Sequence, residues 1–118
     1  MAAPITYARG SVVLTDLPFT DLSGSKLRPA LVVTSRPIGR DIVVLAISSV
    51  IRGVLVPSDC LIELSHPEFS LTGLRVASVI RTHRLATIEQ SRVVRRFGNI
   101  GPMLQAEVDK QLRHVLGL

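Results

Sequence analysis

GSVVLTDLPFTDLSGSKLRPALVVTS, residues 10–35, is the stretch that decides the fold. It holds two runs rich in Val and Leu, separated by a segment rich in Ser, Gly and Asp. Short apolar runs bounded by turn residues are typical of β-strands. We therefore predict strands over 10–17 and 28–35, joined by a polar, mobile loop.

Two cations stand where this loop leads into the second strand. Lys26 and Arg28 precede Pro29, and a proline is tolerated among the first residues of a strand because a missing N–H donor costs least there. Binding residues are often carried at the junction of a loop with a rigid sheet. The sequence therefore indicates a binding site at this junction.

The composition predicts one domain, residues 1–118, with an aliphatic core. Of the 118 residues 47% are hydrophobic, but only 3% are aromatic, with no Trp and one Tyr. This length is enough for a modest core. The low aromatic content argues against nucleobase stacking on several aromatic platforms.

The charge is positive and comes mainly from arginine. The formal net charge is +5, and only Lys26 and Lys110 of the 14 basic residues are lysines. The planar guanidinium fork of arginine suits phosphate. This balance favours a polyanionic or acidic protein partner, the alternative being a bias in the nucleotide composition of the genome.

Cysteine and histidine give no sign of a metal site. Cys60 is the single cysteine, which excludes an intramolecular disulfide, fits a cytoplasmic protein and is expected to be a small core residue. His66, His83 and His114 lack zinc-ligand spacing. No signal peptide is evident, and no apolar run reaches the roughly 18 residues of a membrane span.

Short strands are predicted for most of the remaining chain. A Pro and Gly turn at 36–40 is followed by predicted strands over 41–51, 54–56, 59–64 and 75–81, an irregular edge over 82–87, a short helix over 89–96 and a loop or small strand over 97–101. Many short strands followed by one helix favour a small barrel with the helix packed on it.

The last segment, 102–116, is predicted to be a helix. Pro102 is favourable at the first helical position and Gly117 at the C-cap, and residues 1–9 are expected to form a short leader. The apolar side chains that recur at helical spacing are Met103, Leu104, Val108, Leu112, Val115 and Leu116. The predicted fold class is mainly β with a C-terminal helix.

Residues 10–33 contain the pattern Gly-x-Val-Val-Leu, Pro-Phe-Thr-Asp and Lys-x-Arg-Pro-Ala-Leu-Val-Val. This pattern resembles the opening of the MazF/PemK family of toxins from toxin–antitoxin pairs. Ser-Val-Ile-Arg at 78–81 and Thr-Ile-Glu at 87–89 extend the resemblance. It implies a small SH3-like barrel of the PemK/CcdB type that cleaves single-stranded RNA selectively, without a metal or cofactor. It also implies a homodimer with an RNA groove across its interface, and neutralisation by a small, acidic cognate antitoxin.

The resemblance implies catalytic roles for Arg28 and Ser48. Arg28 matches the arginine of the Lys-x-Arg-Pro motif, and Ser48 stands where the family has a hydroxyl that contacts the scissile phosphate. The alternatives are an Arg28 paired with a carboxylate and a serine that satisfies a bend in the barrel. Strand residues alternate between faces, so only one of Ser48 and Ser49 is expected to point at the site; we assign Ser48 to catalysis and keep Ser49 as an RNA-binding candidate.

Val-Ile-Arg-Thr-His at 79–83 stands where the family has Val-Val-Arg-x-Asp. Arg81 therefore matches a catalytic arginine, whereas His83 replaces a catalytic acid. Residues i and i+2 of an extended strand share a face, and a histidine with a pKa near ~6.5 can act as a general base. His83 is the candidate base; the alternatives are a structural or solvated histidine, a weakened enzyme and a different cleavage preference.

Loop residues are the candidate RNA contacts. By resemblance the loop gates the RNA groove and is displaced by the antitoxin. Phe19 is placed to stack on a base, or alternatively to plug one end of the barrel. The loop candidates are Phe19, Thr20, Ser23, Ser25 and Lys26.

Two other functions stay open on the sequence. One is the same barrel without catalysis, holding an antitoxin or RNA, which the departure at His83 favours. The other is a CcdB-like gyrase inhibitor, since those toxins share the fold class. The arginine of the Lys-x-Arg-Pro motif argues against the second, because gyrase inhibition needs no phosphate-binding cation.

Overall fold

β-Strands occupy much of the chain that the computed structural model describes, residues 7–17, 27–49 and 55–118. The strands are β1 (Ser11–Asp16), β2 (Leu27–Val32), β3 (Asp41–Ser48), β4 (Asp59–Ile62), β5 (Ser78–Glu89) and β6 (Arg95–Asn99). Two 3₁₀ turns, Phe69–Thr72 and Gln90–Arg92, and the helix α1 (Pro102–Leu116) are the remaining elements of these ranges. None of the described helices is long and apolar enough to cross a membrane.

The strands of these ranges form one antiparallel sheet in the order β4-β5-β3-β2-β1-β6. After β5 the chain crosses to the opposite edge of the sheet, where the N–H of Val94 donates to the carbonyl of Leu14 at 2.8 Å. This crossing curls the sheet into a half-barrel. The predicted fold class, mainly β with a C-terminal helix, is confirmed.

The two faces of the sheet carry separate aliphatic clusters, because successive strand residues point to opposite sides. The cluster on the helix face comprises Val12, Leu31, Leu45, Ile47, Cys60, Ile62, Ile80, Ile100, Leu104 and Val108. The cluster on the far face comprises Val13, Leu17, Ala30, Val32, Ile42, Val44, Ala46, Ala86 and Ile88. The buried residues of both clusters are aliphatic, apart from Cys60 in the first cluster. This agrees with the aliphatic core that the composition predicts.

The helix predicted over 102–116 is confirmed with the same bounds. Leu104 and Val108 are buried on the helix face of the sheet. Met103 and Leu116, predicted to be part of the apolar stripe, are instead exposed. The buried stripe is therefore narrower than the sequence spacing suggests.

A distant carboxylate caps the start of α1. Glu68 is buried, and its two oxygens accept hydrogen bonds from the N–H groups of Met103 at 2.9 Å and Leu104 at 2.8 Å. Residue 101 is a glycine, and a Cβ there would overlap a carboxylate oxygen of Glu68. The missing side chain therefore makes room for the cap. At the other end Gly117 adopts the predicted left-handed C-cap with φ 71°.

The strand predicted over 75–81 is confirmed for residues 78–81, whereas the irregular edge predicted over 82–87 is wrong, because these residues continue the same strand. The strand β5 begins at 78 and runs continuously to 89. Its pairing with β3 skips residues 82–84, which form a bulge on β5. The polar bulge interrupts the alternation of the sequence, although β3 holds the strand together on both sides of it.

The helix predicted over 89–96 is also wrong. The structure has only the 3₁₀ turn Gln90–Arg92, and the chain is already in β6 at Arg95. Pairing with the edge of β1 overrides the local preference, and β6 confirms the strand alternative for the following residues. Of the strand predicted over 54–56, Leu55 and Val56 are not in a strand, and residue 54 lies outside the described ranges.

Candidate functional site

Arg28, Ser48 and Arg81 lie on one face of the sheet, near one end of it. Ala46 is opposite Ala30 on one side and opposite Arg81 on the other. Arg28 and Ser48 each lie two residues from the Ala30–Ala46 pair, beyond the last paired residues of β2 and β3, and strand alternation puts both on the face of Ala30 and Ala46. Residues opposite one another in an antiparallel pair share a face, with Cβ atoms about 5 Å apart, and diagonal neighbours lie about 7–8 Å apart. Three of the four predicted catalytic residues are thus brought together.

This face is the far face, opposite the helix, because Ala30 and Ala46 belong to its aliphatic cluster. The polar residues continue the face beyond the end of that cluster. Residues 18–26 and 50–54 lie outside the described residues. The same holds for the predicted RNA contacts in the loop, which are Phe19, Thr20, Ser23, Ser25 and Lys26.

Arg28 is an exposed cation on β2. No carboxylate within the described ranges forms an ion pair with it. Its backbone is paired with Thr15 of β1, so the position of the side chain is set by the sheet. An arginine held in this way can offer two parallel N–H donors to a phosphate.

Ser48 and Ser49 lie on opposite faces. Ser48 is the half-buried last residue of β3, opposite Val79 of β5. Ser49 is exposed and lines a cavity of about 560 Å³ together with Leu14 and Pro29, which alternate with residues of the far face. One serine therefore shares the face of Arg28, in accordance with the expectation from strand alternation.

Arg81 is held by an aspartate that the sequence did not suggest. Its Nη1 donates to Oδ2 of Asp59 at 2.5 Å, directly across the β4–β5 pair. The Asp59 side chain is 1% exposed and that of Arg81 is 19% exposed. Oδ2 also accepts a hydrogen bond from the N–H of Val56 at 3.0 Å, whereas Oδ1 is buried without a hydrogen-bond partner in the structure described.

This pair distinguishes the two site arginines. Arg28 is exposed and forms no ion pair with a described carboxylate, while the charge of Arg81 is partly neutralised by Asp59 and its guanidinium is fixed in orientation. Arg81 nevertheless keeps some exposed surface, so its remaining N–H groups can reach a ligand on the far face.

His83 lies in the bulge of β5 and is exposed. Next to it, Thr82 is buried and its hydroxyl donates to the carbonyl of Ser58 at 2.6 Å. Because the bulge breaks the regular alternation, the i and i+2 spacing of Arg81 and His83 does not establish that they share a face. The role of His83 as a base stays a prediction.

Cys60 is a core residue, as expected. It lies in the cluster on the helix face. Burial, with a smaller contribution from the charge of Glu107, raises the pKa of its thiol to about 12, so the reactive thiolate is absent at neutral pH. Within the described part of the chain, no three His, Cys, Asp or Glu side chains are grouped so that they could hold a metal ion.

A protein-family model described as PemK-like, MazF-like toxin of type II toxin–antitoxin system matches residues 8–116. The chain belongs to this family. The match confirms the resemblance seen in the strand-loop-strand opening and around Arg81.

Solved structures of similar proteins cover nearly the whole chain. A mycobacterial endoribonuclease in complex with its cognate antitoxin has a TM-score of 0.69 at 20% identity, covering 98% of this chain and 97% of its own. MazF from Deinococcus radiodurans has a TM-score of 0.72 at 19% identity, covering 98% and 100%. The Mycobacterium tuberculosis toxin MazF-mt6 has a TM-score of 0.69 at 18% identity, covering 92% and 97%.

These likenesses show that the chain has the fold of MazF toxins. A comparison with curated protein sequences gives no significant match.

Proposed function

We propose that this PemK/MazF-family toxin is a metal-independent endoribonuclease that cuts single-stranded RNA at selected sequences. The observation that carries the proposal is the placing of Arg28, Ser48 and Arg81 on one face at one end of the sheet. The mycobacterial relative of the same fold is an endoribonuclease, which supports the same activity here.

The reaction is an internal transfer at phosphorus. The 2′-oxygen loses its proton to a base and forms a bond to the adjacent phosphorus, and the bond from phosphorus to the 5′-oxygen breaks. The leaving 5′-oxygen takes up a proton, so the products are a 2′,3′-cyclic phosphate and a 5′-hydroxyl. The protein must supply a base, an acid and donors for the charge that develops on the phosphoryl oxygens.

The site residues match these requirements. The exposed guanidinium of Arg28 is the main donor to the phosphoryl oxygens, with Arg81 as a second donor, and one of the two protonates the leaving oxygen. The hydroxyl of Ser48 donates to a phosphoryl oxygen. His83 remains the candidate base, because an imidazole side chain can accept a proton at neutral pH.

The proposed partners follow from charge and family. A net charge of +5 fits a small, acidic antitoxin as well as RNA, and the mycobacterial relative was solved with its cognate antitoxin. We propose a homodimer with RNA in a groove across the interface, gated by the loop that contains Phe19 and Lys26. The single, buried Cys60 is compatible with the reducing cytoplasm that we propose for the protein.

The test is cleavage of a long single-stranded RNA in the presence of EDTA, with the ends mapped. The wild type should give defined cuts with cyclic-phosphate and 5′-hydroxyl ends. Loss of one transition-state donor typically costs about 10²–10³ in rate, so Arg28→Ala should lose at least that much and Ser48→Ala somewhat less.

Matched controls lie at the other end of the sheet. Arg40→Ala and Ser35→Ala remove an exposed arginine and an exposed serine remote from the site, and both variants should cut like the wild type. If Arg40→Ala lost as much activity as Arg28→Ala, general attraction of RNA to positive charge would explain the result instead.

The Arg81–Asp59 pair favours a second candidate function, a binding module without catalysis. An arginine engaged by a buried carboxylate has fewer donors for a phosphate, and residue 83 is not an acid. Intact RNA with the folded wild-type protein, together with tight RNA or antitoxin binding, would support this candidate over the ribonuclease.

A further inference from the structure

We propose that Asp59 is a positioning residue that holds Arg81 in the orientation needed to contact the scissile phosphate. Asp59 lies on β4 directly opposite Arg81 on the neighbouring strand β5, so the carboxylate beside this arginine comes from another strand and not from position 83, where this chain has a histidine. The proposal rests on the proposed ribonuclease function.

The contacts fix the carboxylate first. Asp59 is the first residue of β4, and the N–H of Val56 donates to its Oδ2 at 3.0 Å, which closes a local turn. The same oxygen accepts the hydrogen bond from Arg81 at 2.5 Å. The guanidinium is therefore tied to a group that is itself tied to the backbone.

Burial makes this link directional. The Asp59 side chain is 1% exposed, so water cannot replace the arginine as its partner. Leaving a buried carboxylate without its cation is strongly unfavourable, which keeps Arg81 in one arrangement. An exposed arginine such as Arg28 must lose its rotamer freedom when it binds a phosphate, whereas Arg81 has already lost it.

The same burial excludes Asp59 as the general base. Its Oδ1 has no hydrogen-bond partner in the described structure and is shielded from solvent. An oxygen that solvent cannot reach cannot take a proton from a 2′-hydroxyl of RNA. Asp59 can act on the reaction only through Arg81, and this restriction makes the proposal testable.

The experiment uses the full-length protein and a short RNA with one cut site, found from the wild-type cleavage map. We would measure kcat and KM for the wild type, Asp59→Asn, Arg81→Gln and the double variant Asp59→Asn with Arg81→Gln. Circular dichroism melting would ensure that each protein is folded at the assay temperature. Asp16→Asn, which breaks a surface aspartate–arginine pair, is the matched control.

Misplacing a catalytic group by about 1 Å can cost about 100-fold. Asp59→Asn should therefore lower kcat by about 10- to 100-fold with KM within about threefold of the wild type. The double variant should be no slower than Arg81→Gln alone, since Asp59 has no effect without the arginine. Asp16→Asn should keep wild-type kcat.

Three results would overturn the proposal. One is a folded Asp59→Asn with wild-type kcat, and another is a double variant much slower than Arg81→Gln. The third is a loss of activity that only follows the unfolded fraction as temperature changes. If Asp59→Asn does not fold, the double variant, in which both charges are absent, can still be compared with Arg81→Gln. That comparison then decides the proposal. A wild type that cuts no RNA would instead refute the ribonuclease function, and this proposal with it.

Discussion

Two aspartate–arginine pairs in this molecule differ mainly in where they lie. Asp59 and Arg81 join the neighbouring strands β4 and β5, with side chains 1% and 19% exposed. Asp16 and Arg92 join β1 to the 3₁₀ turn before β6, with side chains 26% and 50% exposed. The residue types are the same, but water can replace only the second pair.

The difference teaches that burial decides what an ion pair does. An exposed pair is screened by water and salt, and its partners separate at little cost. In a buried pair each charge depends on the other, so removal of one partner leaves the other uncompensated. The buried pair can therefore fix the geometry of a site. The exposed pair only adds to the stability of the segment that connects β5 to β6.

The largest effect on stability is expected for Asp59→Ala. It leaves Arg81, whose side chain is mostly buried, without its partner, and breaking a buried pair in this way typically costs about 3 kcal/mol. The free energy of unfolding, measured by urea denaturation, should fall by about that amount. Asp16→Ala, measured in the same way, should lose far less.

A double variant sharpens this result. Asp59→Ala combined with Arg81→Met has no uncompensated charge, so it should recover part of the lost stability. If Asp59→Ala and Asp16→Ala lost equal amounts, or if the double variant were less stable than Asp59→Ala, the distinction between buried and exposed pairs would not hold here.

Glu68 adds an intermediate case, a buried carboxylate that pairs with backbone rather than with an arginine. Its oxygens accept hydrogen bonds from the N–H groups of Met103 and Leu104. These N–H groups lie in the first turn of α1 and have no carbonyl partner within the helix. Loss of a helix cap typically costs about 1–2 kcal/mol, so Glu68→Ala should lower the free energy of unfolding by that amount. Thermal and urea denaturation would measure it.

The control for Glu68 is Glu63→Ala, since Glu63 is an exposed glutamate outside the helix cap. Glu63→Ala should leave stability nearly unchanged. Glu68→Gln should lose less than Glu68→Ala, because the amide keeps one acceptor oxygen. Equal losses for Glu63→Ala and Glu68→Ala would contradict the role of Glu68 as the cap.

The sequence predicted the helix and the strands that are marked by local signals. The helix 102–116 was predicted with its bounds because a proline and a glycine mark its ends. Strands β1 to β4 were predicted to within a few residues from their apolar runs. The predicted helix at 89–96 failed because pairing with β1, over 80 residues away in the chain, decides the conformation there.

The site was predictable only where the motif itself carries the residues. Arg28, Ser48 and Arg81 were found by resemblance, and register then places them on one face. Asp59 was missed because its partner lies 22 positions further along the chain, and the register of β4 on β5 cannot be read from composition. The bulge at 82–84 likewise left the placing of His83 unpredictable.

The smallest effect is expected for Asp16→Asn, and it should depend on pH. The hydrogen bond from Arg92 is the main cause that lowers the pKa of Asp16 below its ordinary value of 3.8. A group whose pKa is lowered by folding stabilises the folded state above its unfolded pKa and loses that contribution as the pH falls through the folded value. The wild type should therefore melt slightly above Asp16→Asn at pH 7, with a difference that shrinks below about pH 4.

The difference in melting temperature between the wild type and Asp16→Asn should also shrink in about 1 M salt, where the Debye length is about 3 Å. Asp41→Asn, a change at an exposed aspartate outside any ion pair of the described residues, should show neither dependence; a difference for Asp16→Asn that persists at low pH would mean that the side chain acts by packing rather than by charge.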